Sequence, residues 1–277
     1  MLKQRIITAL VLVAALLAAL AWSPLAFAVL LTIAFAIAQA EWLQLSGWGA
    51  AGAFAVALVL GAAQVAALIW APAAVDAVTV PLALVATVTW LVLGAVLLRS
   101  ERRGPVRIGA NLSTLLAIVL CLSAWCALML FLHAGAVLLL SVLVIVWLAD
   151  TAAYFSGRAF GRRKLAPSIS PGKTWAGVWG AVAAVVVVAI VAAQVAPAAP
   201  LYSNRLLGSL GVVATAPILA FLVAVSIVGD LFESLLKRQA GRKDSGHLLP
   251  GHGGFYDRLD AMLALLPASA LFWAWTR

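Results

Sequence analysis

Long apolar segments separated by short polar ones make up almost all of this 277-residue chain. Most are close to the roughly 20 residues that an α-helix needs to cross the hydrocarbon core of a bilayer. Membrane-spanning strands would alternate polar and apolar residues over short stretches, whereas these segments are unbroken runs of Ala, Val and Leu. We therefore predict an all-α, polytopic integral membrane protein with about nine transmembrane helices. The predicted spans are residues 6–22, 25–40, 51–71, 79–98, 111–132, 135–155, 174–196, 210–229 and 259–276.

Composition restricts the partners of the chain. Hydrophobic residues make up 66% of it and charged residues 10%, which excludes a soluble globular protein. In a soluble protein the net charge of +9 would suggest nucleic-acid binding. Here no soluble domain is predicted that could hold a duplex, so we expect membrane lipids and no nucleic acid as partners.

The positions of Lys and Arg predict how the chain is oriented. If the N-terminus lies inside, only Arg205 and Arg277 of the 18 Lys and Arg residues fall outside. Since basic loops resist translocation, we expect the polar loops to face the cytoplasm. The Ala- and Val-rich composition favours a bacterial inner (plasma) membrane. The Ala-Phe-Ala run at 26–28 resembles a signal-peptide cleavage site, but the apolar sequence resumes at Val29–Ala38, so we expect the first helix to be retained.

Acidic residues divide the chain into two parts. Residues 1–140 contain only Glu41, Asp76 and Glu101, and we interpret them as N-terminal transmembrane scaffold helices with a helix-packing or homodimer role. Residues 141–277 are predicted to be a transmembrane catalytic region with cytoplasmic polar loops, because charged groups near a membrane are costly and mark functional sites. The acidic residues of this second part are Asp150, Asp230, Glu233, Asp244, Asp257 and Asp260.

Three of these carboxylates can meet at one membrane boundary. Asp230 ends one apolar run, while Asp257 and Asp260 open the next and lie three residues apart, on one helical face. Together they could hold a hard divalent cation such as Mg²⁺, which prefers oxygen ligands. An equally weighted alternative is a solvated cluster of salt bridges with the nearby basic residues Lys237, Arg238 and Arg258.

A glycine-rich loop lies beside these carboxylates. The run Pro-Gly-His-Gly-Gly at 250–254 lets backbone N–H groups approach an anion closely, and it leads into a helix N-terminus that favours negative charge. Alone such a loop is as often a plain turn. Combined with the carboxylates and with Lys237, Arg238 and Lys243, it predicts a triphosphate-and-metal site.

A second polar segment, residues 150–174, supports the first. Lys173 stands just before a predicted helix start, which is a favourable phosphate environment. The Gly-Lys-Thr tripeptide at 172–174 is not a phosphate-binding P-loop, because that pattern requires glycine at the position of Pro167 and a preceding strand that we do not predict.

The spacing of polar and glycine residues in these segments points to one family. The positions concerned are Ser234, Lys237, Arg238, Lys243, Asp244, Gly246, Leu249, Pro250, His252, Gly253, Gly254, Phe255, Asp257, Arg258, Leu259 and Asp260. This arrangement resembles the C-terminal motif of the phosphatidate cytidylyltransferases, or CDP-diacylglycerol synthases. The segments Asp-Thr-x-Ala-Tyr at 150–154 and Ser-Pro-x-Lys-Thr-Trp at 170–175 are similar to the upstream motifs of that family. Gly172 and Ala176 depart from the family pattern, which usually has a basic residue and a glutamate there.

The resemblance implies that CTP and phosphatidic acid give CDP-diacylglycerol and pyrophosphate, with Mg²⁺ as cofactor, in phospholipid biosynthesis. Metal clamping and basic groups would position the two anions, and phosphatidate would be its own nucleophile. We expect Asp230, Asp257 and Asp260 to bind the metal and to be catalytic together with Lys237 and Lys243. The expected substrate-binding residues are Arg238, Arg258, His252, Gly253, Gly254, Lys173, Ser234 and Asp244.

Two other functions remain open from the sequence. A secondary transporter would carry its charges near the membrane midplane, often in two related halves, whereas polarity here collects at helix ends in one half. A CTP-dependent lipid kinase would use the same nucleotide in the same compartment but would release CDP instead of pyrophosphate.

Overall fold

The computed structural model describes residues 2–104 and 106–276, apart from the side chains of residues 2–6, 9, 102 and 103. Within these ranges it contains nine helices and one two-stranded antiparallel ribbon. The helices are α1 (Leu2–Trp22), α2 (Pro24–Leu45), α3 (Ala50–Trp70), α4 (Pro72–Arg103), α5 (Ala110–Ala134), α6 (Ala136–Phe160), α7 (Trp175–Val195), α8 (Tyr202–Gln239) and α9 (Tyr256–Trp275). The ribbon strands are β1 (Lys164–Ala166) and β2 (Ser170–Thr174).

The protein is an all-α membrane protein, as the sequence predicts. By length and composition, seven of the described helices, α2 to α8, can cross a membrane. The apolar part of α1 is shorter, Leu10–Trp22. Helix α9 opens with three charged residues in its first turns, and its apolar part is buried by other helices.

Two helices, α4 and α8, begin about two turns earlier than the apolar pattern predicts. Helix α4 begins at Pro72 instead of 79, since proline suits the first turn of a helix and the polar Asp76 hides this turn from a hydropathy reading. Helix α8 begins at Tyr202 instead of 210, and Gly211 interrupts it with a φ of 71° and a ψ of 174°. A glycine adopts this conformation with positive φ without steric cost, so α8 can bend here. The first turns of α8 therefore run in a different direction from the rest of the helix.

Helix α9 lies in the centre of the bundle and packs against α4, α5 and α8. Its segment Ala261–Ala270 is buried throughout. Pro267 has no N–H to donate to the carbonyl of Leu263 four residues earlier. The indole Nε1–H of Trp90 on α4 donates to this oxygen instead, at 3.2 Å.

Contacts between loops define two opposite ends of the bundle. One end gathers the N-terminus of α1, the C-termini of α2, α4, α6 and α8, and the N-terminus of α9, where most basic residues lie. Contacts at this end include Thr8 Oγ1 to Pro250 O at 3.0 Å, Gln239 Nε2 to Val106 O at 3.1 Å and Ser168 Oγ to Glu101 at 2.6 Å. At the other end, Arg205 donates to the carbonyl of Thr276 at 2.9 Å. The basic residues Lys3, Arg5, Arg102, Arg103 and Arg277, which enter the orientation argument, lie outside the described side chains.

The ribbon is the one part of the second polar segment that we did not predict. Strand β1 precedes β2, and Gly172, Lys173 and Thr174 lie inside β2 instead of in a loop. A phosphate-binding loop needs these residues between a strand and a helix, with an additional glycine at the position of Pro167. The structure therefore corrects our expectation that no strand precedes the tripeptide, while the P-loop pattern still fails.

Candidate active site

Three carboxylates converge where α8 and α9 meet. Asp230 and Glu233 lie on α8 and Asp260 lies on α9, and each offers an oxygen within 4.8 Å of the others. The close approach depends on Gly229, because a Cβ at this position would overlap the carbonyl oxygen of Asp260. The predicted pair Asp230 and Asp260 is thus brought together, and Glu233 joins it.

Lys237 connects this cluster to the start of α9. Its Nζ lies 2.6 Å from Glu233 Oε2 and 2.6 Å from Asp257 Oδ1. Glu233 is one helical turn before Lys237 and its side chain is 1% exposed, so the lysine supplies a countercharge to a carboxylate that has left water. Lys237 is therefore held in a fixed position by two acids.

Asp257 holds the glycine loop. Its Oδ2 accepts hydrogen bonds from the backbone N–H of Ser245 at 2.8 Å, from Ser245 Oγ at 2.8 Å and from the N–H of Gly254 at 2.9 Å. Asp257 precedes the predicted span 259–276; burial alone would raise its pKa, but hydrogen bonds from Lys237 and from the backbone N–H groups of Gly254 and Ser245 lower the pKa to about 2. Both its oxygens are engaged by protein donors, and its predicted role as a metal ligand stays a prediction.

The ribbon brings a second lysine to the cluster. Lys173 on β2 reaches Asp230 Oδ2 at 2.6 Å. The turn of the ribbon is held by Glu101 on α4, which accepts hydrogen bonds from the N–H and the Oγ of Ser168. Thr174 ends the ribbon and caps α7, where its Oγ1 accepts from the N–H of Gly177 at 3.1 Å. These links fix the position of Lys173 relative to α8.

A cleft of about 560 Å³ opens beside Asp230, between α6, the ribbon, α7 and α8. The charged residues that line it are Asp150, Arg158, Lys164, Lys173 and Asp230. The apolar residues that line it include Ala149, Ala153, Val178, Ala181 and Ile227. Such a cleft can hold a molecule that has a phosphate at one end and hydrocarbon at the other.

The donor set fits a divalent cation. Of the four carboxylates at the ends of α8 and α9, Asp230, Glu233 and Asp257 form salt bridges with two lysines, Lys173 and Lys237. Asp260, the fourth, forms no salt bridge with a described residue, so negative charge is in excess. Glu233 Oε1 is buried without a hydrogen-bond partner among the described residues. Oxygen ligands, excess negative charge and an unpaired buried oxygen are what Mg²⁺ or a similar hard cation would satisfy.

The remaining predicted residues lie around this centre. Ser234 Oγ donates to Asp230 Oδ1 at 3.4 Å. Arg258 donates to the carbonyl of His252 at 2.9 Å through Nη2. Gly253, at a φ of 81°, and Gly254 lie against Asp257 and Ser245. The exposed residues of the same surface are Arg238, Lys243 and Asp244.

Sequence reasoning missed three acidic residues of the site. Glu233 is three residues after Asp230 and four before Lys237, a helical spacing that could have placed it in the cluster. Asp150 was read only as part of a motif. Glu41, a lone acid at the end of an apolar run in the first half of the chain, lies 2% exposed against the C-terminal loop.

Comparisons with known proteins identify the family of this chain. A profile of the cytidylyltransferase family matches residues 3–275. The chain therefore belongs to the cytidylyltransferase family. Among curated relatives, the phosphatidate cytidylyltransferase of Pseudomonas aeruginosa is 55% identical over 138 residues, which are 50% of this chain and 48% of that protein. The enzymes of the same name from Haemophilus influenzae and Thermotoga maritima are 43% identical over 139 residues and 41% identical over 138 residues.

These matches cover 50% and 49% of this chain and 46% and 48% of the two relatives. The aligned part thus spans about half the length of the curated relatives that the chain matches. The family profile matches nearly the whole chain, whereas the curated relatives align with about half of it.

Proposed function

We propose that this protein is a phosphatidate cytidylyltransferase, which transfers CMP from CTP to phosphatidic acid and forms CDP-diacylglycerol and pyrophosphate. The observation that carries the proposal is the carboxylate cluster of Asp230, Glu233 and Asp260, with Lys173 and Lys237 in contact, beside a cleft that has charged and apolar lining residues. A nucleotide triphosphate needs the cations, and a diacyl lipid needs the apolar lining.

The cluster would hold Mg²⁺ through Asp230, Asp260 and Glu233. When bound, the ion neutralises the triphosphate and the charge that develops on the leaving pyrophosphate. Asp257 directs Lys237 toward this centre, because its Oδ1 and Glu233 Oε2 hold the ammonium group from two sides. Lys173, paired with Asp230, supplies a second positive charge that a phosphate can share.

The reaction requires no protein nucleophile. An oxygen of the lipid phosphate attacks the α-phosphorus of CTP, a new P–O bond forms, and the bond between the α-phosphorus and the bridging oxygen to the β-phosphate breaks. The lysines and the exposed basic residues Arg238, Lys243 and Arg258 lower the repulsion between the two anions and hold them in line. The contribution of this chain is therefore positioning and charge.

The proposed reaction also predicts where the active site lies relative to the membrane. The apolar residues of the cleft would accept acyl chains from the bilayer, while its charged residues lie at the basic end of the bundle. From the distribution of Lys and Arg, we expect this end to lie on the cytoplasmic side of a bacterial inner membrane, where CTP is available. A homodimer through the N-terminal helices stays a prediction.

The reaction products test the proposal. Purified protein in detergent is mixed with CTP labelled at the α-phosphate, phosphatidate and Mg²⁺, and we expect labelled CDP-lipid and pyrophosphate in a one-to-one ratio. Asp76→Asn, which changes an exposed acid at the opposite end of the bundle, is the matched control and should react like the wild type. Release of CDP from CTP with diacylglycerol as acceptor would replace the proposal by a lipid kinase.

A further inference from the structure

Glu41 is a buried acid that the proposed reaction does not use. It lies near the C-terminus of α2, within the part of the chain that the sequence presents as scaffold. Its Oε2 accepts hydrogen bonds from Ser245 Oγ at 3.0 Å and from the backbone N–H of Tyr256 at 2.8 Å. Both donors belong to the loop between α8 and α9 or to the first residue of α9, more than 200 positions away in sequence.

The loop is shaped around this carboxylate. A Cβ at Gly246 would have only Glu41 atoms as its three nearest neighbours and would overlap Oε1, while a Cβ at Gly254 would overlap Oε2. Next to Glu41, the ring of Trp42 stacks on that of Tyr256 with centroids 4.9 Å apart. Glycine at 246 is thus explained by the volume of Glu41, not by backbone conformation.

The contacts of Glu41 lead directly to the metal-site acids. Ser245 Oγ lies 3.0 Å from Glu41 Oε2 and 2.8 Å from Asp257 Oδ2, so one hydroxyl lies between the two carboxylates and can donate its single proton to either of them. Asp257 then holds Lys237 at 2.6 Å. Tyr256, whose N–H donates to Glu41, begins the helical turn that presents Asp260 to the cluster.

We propose that Glu41 is a positioning residue that locks the α8–α9 loop and the first turn of α9, and thereby sets Asp257 and Asp260 against Asp230 and Glu233. This proposal rests on the proposed function. An acceptor oxygen is needed at position 41 because the Ser245 hydroxyl and the Tyr256 N–H are donors at a buried site, and unpaired buried donors are costly. These donors belong to the loop and the helix start, so Glu41 orders the site more than it orders the helix bundle.

The first test compares Glu41→Gln with Glu41→Ala. The amide oxygen of Gln can accept the same two hydrogen bonds in nearly the same volume, whereas Ala removes the acceptor. We expect Glu41→Ala to weaken Mn²⁺ binding, measured by electron paramagnetic resonance, about 10- to 100-fold, as loss of a group that orients metal ligands does. The kcat should fall about 100-fold with little change in the KM for phosphatidate, since a displacement near 1 Å has such an effect. Glu41→Gln should keep both properties within about fivefold of the wild type.

Melting temperature in detergent is recorded for both variants. If the Glu41→Ala variant is folded and has the same Mn²⁺ affinity and kcat as the wild type, the proposal is overturned. Losses in Glu41→Gln as large as those in Glu41→Ala would also overturn the proposal. The proposed role depends on acceptance of hydrogen bonds and not on charge, so Gln should preserve it.

The second test remains informative if Glu41→Ala is poorly stable. Gly246→Ala adds a methyl group whose three nearest neighbours are all atoms of Glu41, so it should reduce Mn²⁺ binding in the wild type and have little further effect in the Glu41→Ala background. Gly208→Ala is the matched control, because a Cβ there meets nothing within 4 Å. Additive losses for Gly246→Ala and Glu41→Ala would overturn the proposal.

The two proposals fail in distinguishable ways. Mn²⁺ binding needs neither CTP nor lipid, so these measurements judge Glu41 even if the wild type forms no CDP-lipid. Conversely, a wild type that forms CDP-lipid and a Glu41→Ala variant that binds Mn²⁺ normally would leave the proposed function intact and remove only the role of Glu41.

Discussion

Carboxylates that look equivalent in the sequence have different surroundings in the fold. Asp230 is partly exposed, at 31% of its side chain, and contacts the side chains of Lys173 and Ser234. Asp257 is 7% exposed and receives hydrogen bonds at both oxygens from Lys237 and the loop. Asp230 can therefore exchange its protein partners for a ligand, whereas Asp257 is part of the framework that holds the loop.

This difference predicts distinct effects of the same substitution. Asp230→Asn removes charge from the proposed metal site and should lower kcat by at least about 100-fold while the melting temperature stays near that of the wild type. Asp257→Asn places an NH₂ group against the donors of Lys237 or Ser245, so it should lower stability by about 1–3 kcal/mol as well as activity. Melting curves in detergent, run beside Mg²⁺ titrations of activity, check both. Equal melting temperatures for the two variants would contradict the framework role of Asp257.

Lys237 is the cation on which two buried acids depend. Lys237→Met keeps the length of the side chain but leaves Glu233 and Asp257 without their countercharge, which should cost about 3–5 kcal/mol of stability. Adding Glu233→Gln removes one of the two uncompensated charges and should recover part of the loss. Thermal unfolding of the two variants is the measurement, and a double variant no more stable than Lys237→Met would show that Glu233 is not the charge concerned.

At the scale of elements, helix α9 shows how one apolar segment becomes the centre of the fold. Its proline would leave a buried carbonyl unpaired, and Trp90 supplies the missing donor from α4. Glycine at 229 lets α8 approach α9 where Asp260 lies. The position of Asp230, Glu233 and Asp260 therefore depends on packing between α4, α8 and α9.

The link between Trp90 and Pro267 can be measured with a double-mutant cycle. Trp90→Phe removes the donor to Leu263 O and also leaves a small cavity, while Pro267→Ala restores an N–H that can close the normal helical hydrogen bond. We expect Trp90→Phe to be less harmful in the Pro267→Ala background, with a coupling of about 1 kcal/mol. The measurement is the free energy of unfolding of the wild type, the two single variants and the double variant. Strictly additive effects would show that the indole does not replace the lost hydrogen bond.

Helices were predictable from the sequence because long apolar runs have few alternatives in a membrane. All nine predicted segments correspond to helices of the described chain, with errors at ends where polar residues lie inside a helix, as at Asp76. The short ribbon was not predicted, because its few residues between two helices do not show the alternation of polar and apolar positions that indicates a strand. The contact of Glu41 with Ser245 joins positions 204 residues apart, and no local pattern reports such a distance.

At the scale of the whole molecule, the first half of the chain does more than surround the second. Glu41 on α2 holds the loop before α9, and Glu101 on α4 holds the turn of the ribbon that carries Lys173. Both acids lie at the basic end of the bundle, whereas Asp76 lies at the other end beside His133. The predicted division into residues 1–140 and 141–277 stays a prediction, and the site draws on both parts.

The orientation of this bundle in the membrane gives the last prediction. Because the basic residues gather at the end that carries the candidate site, the loop after α8 should face the cytoplasm and the loop between α7 and α8 should face outward. His247→Cys and Ala198→Cys place thiols on exposed positions of these two loops, while native Cys121 and Cys126 are buried. In intact cells, a membrane-impermeant maleimide should label position 198 and spare position 247 until the cells are opened. Labelling of position 247 from outside would reverse the orientation and would separate the site from cytoplasmic CTP.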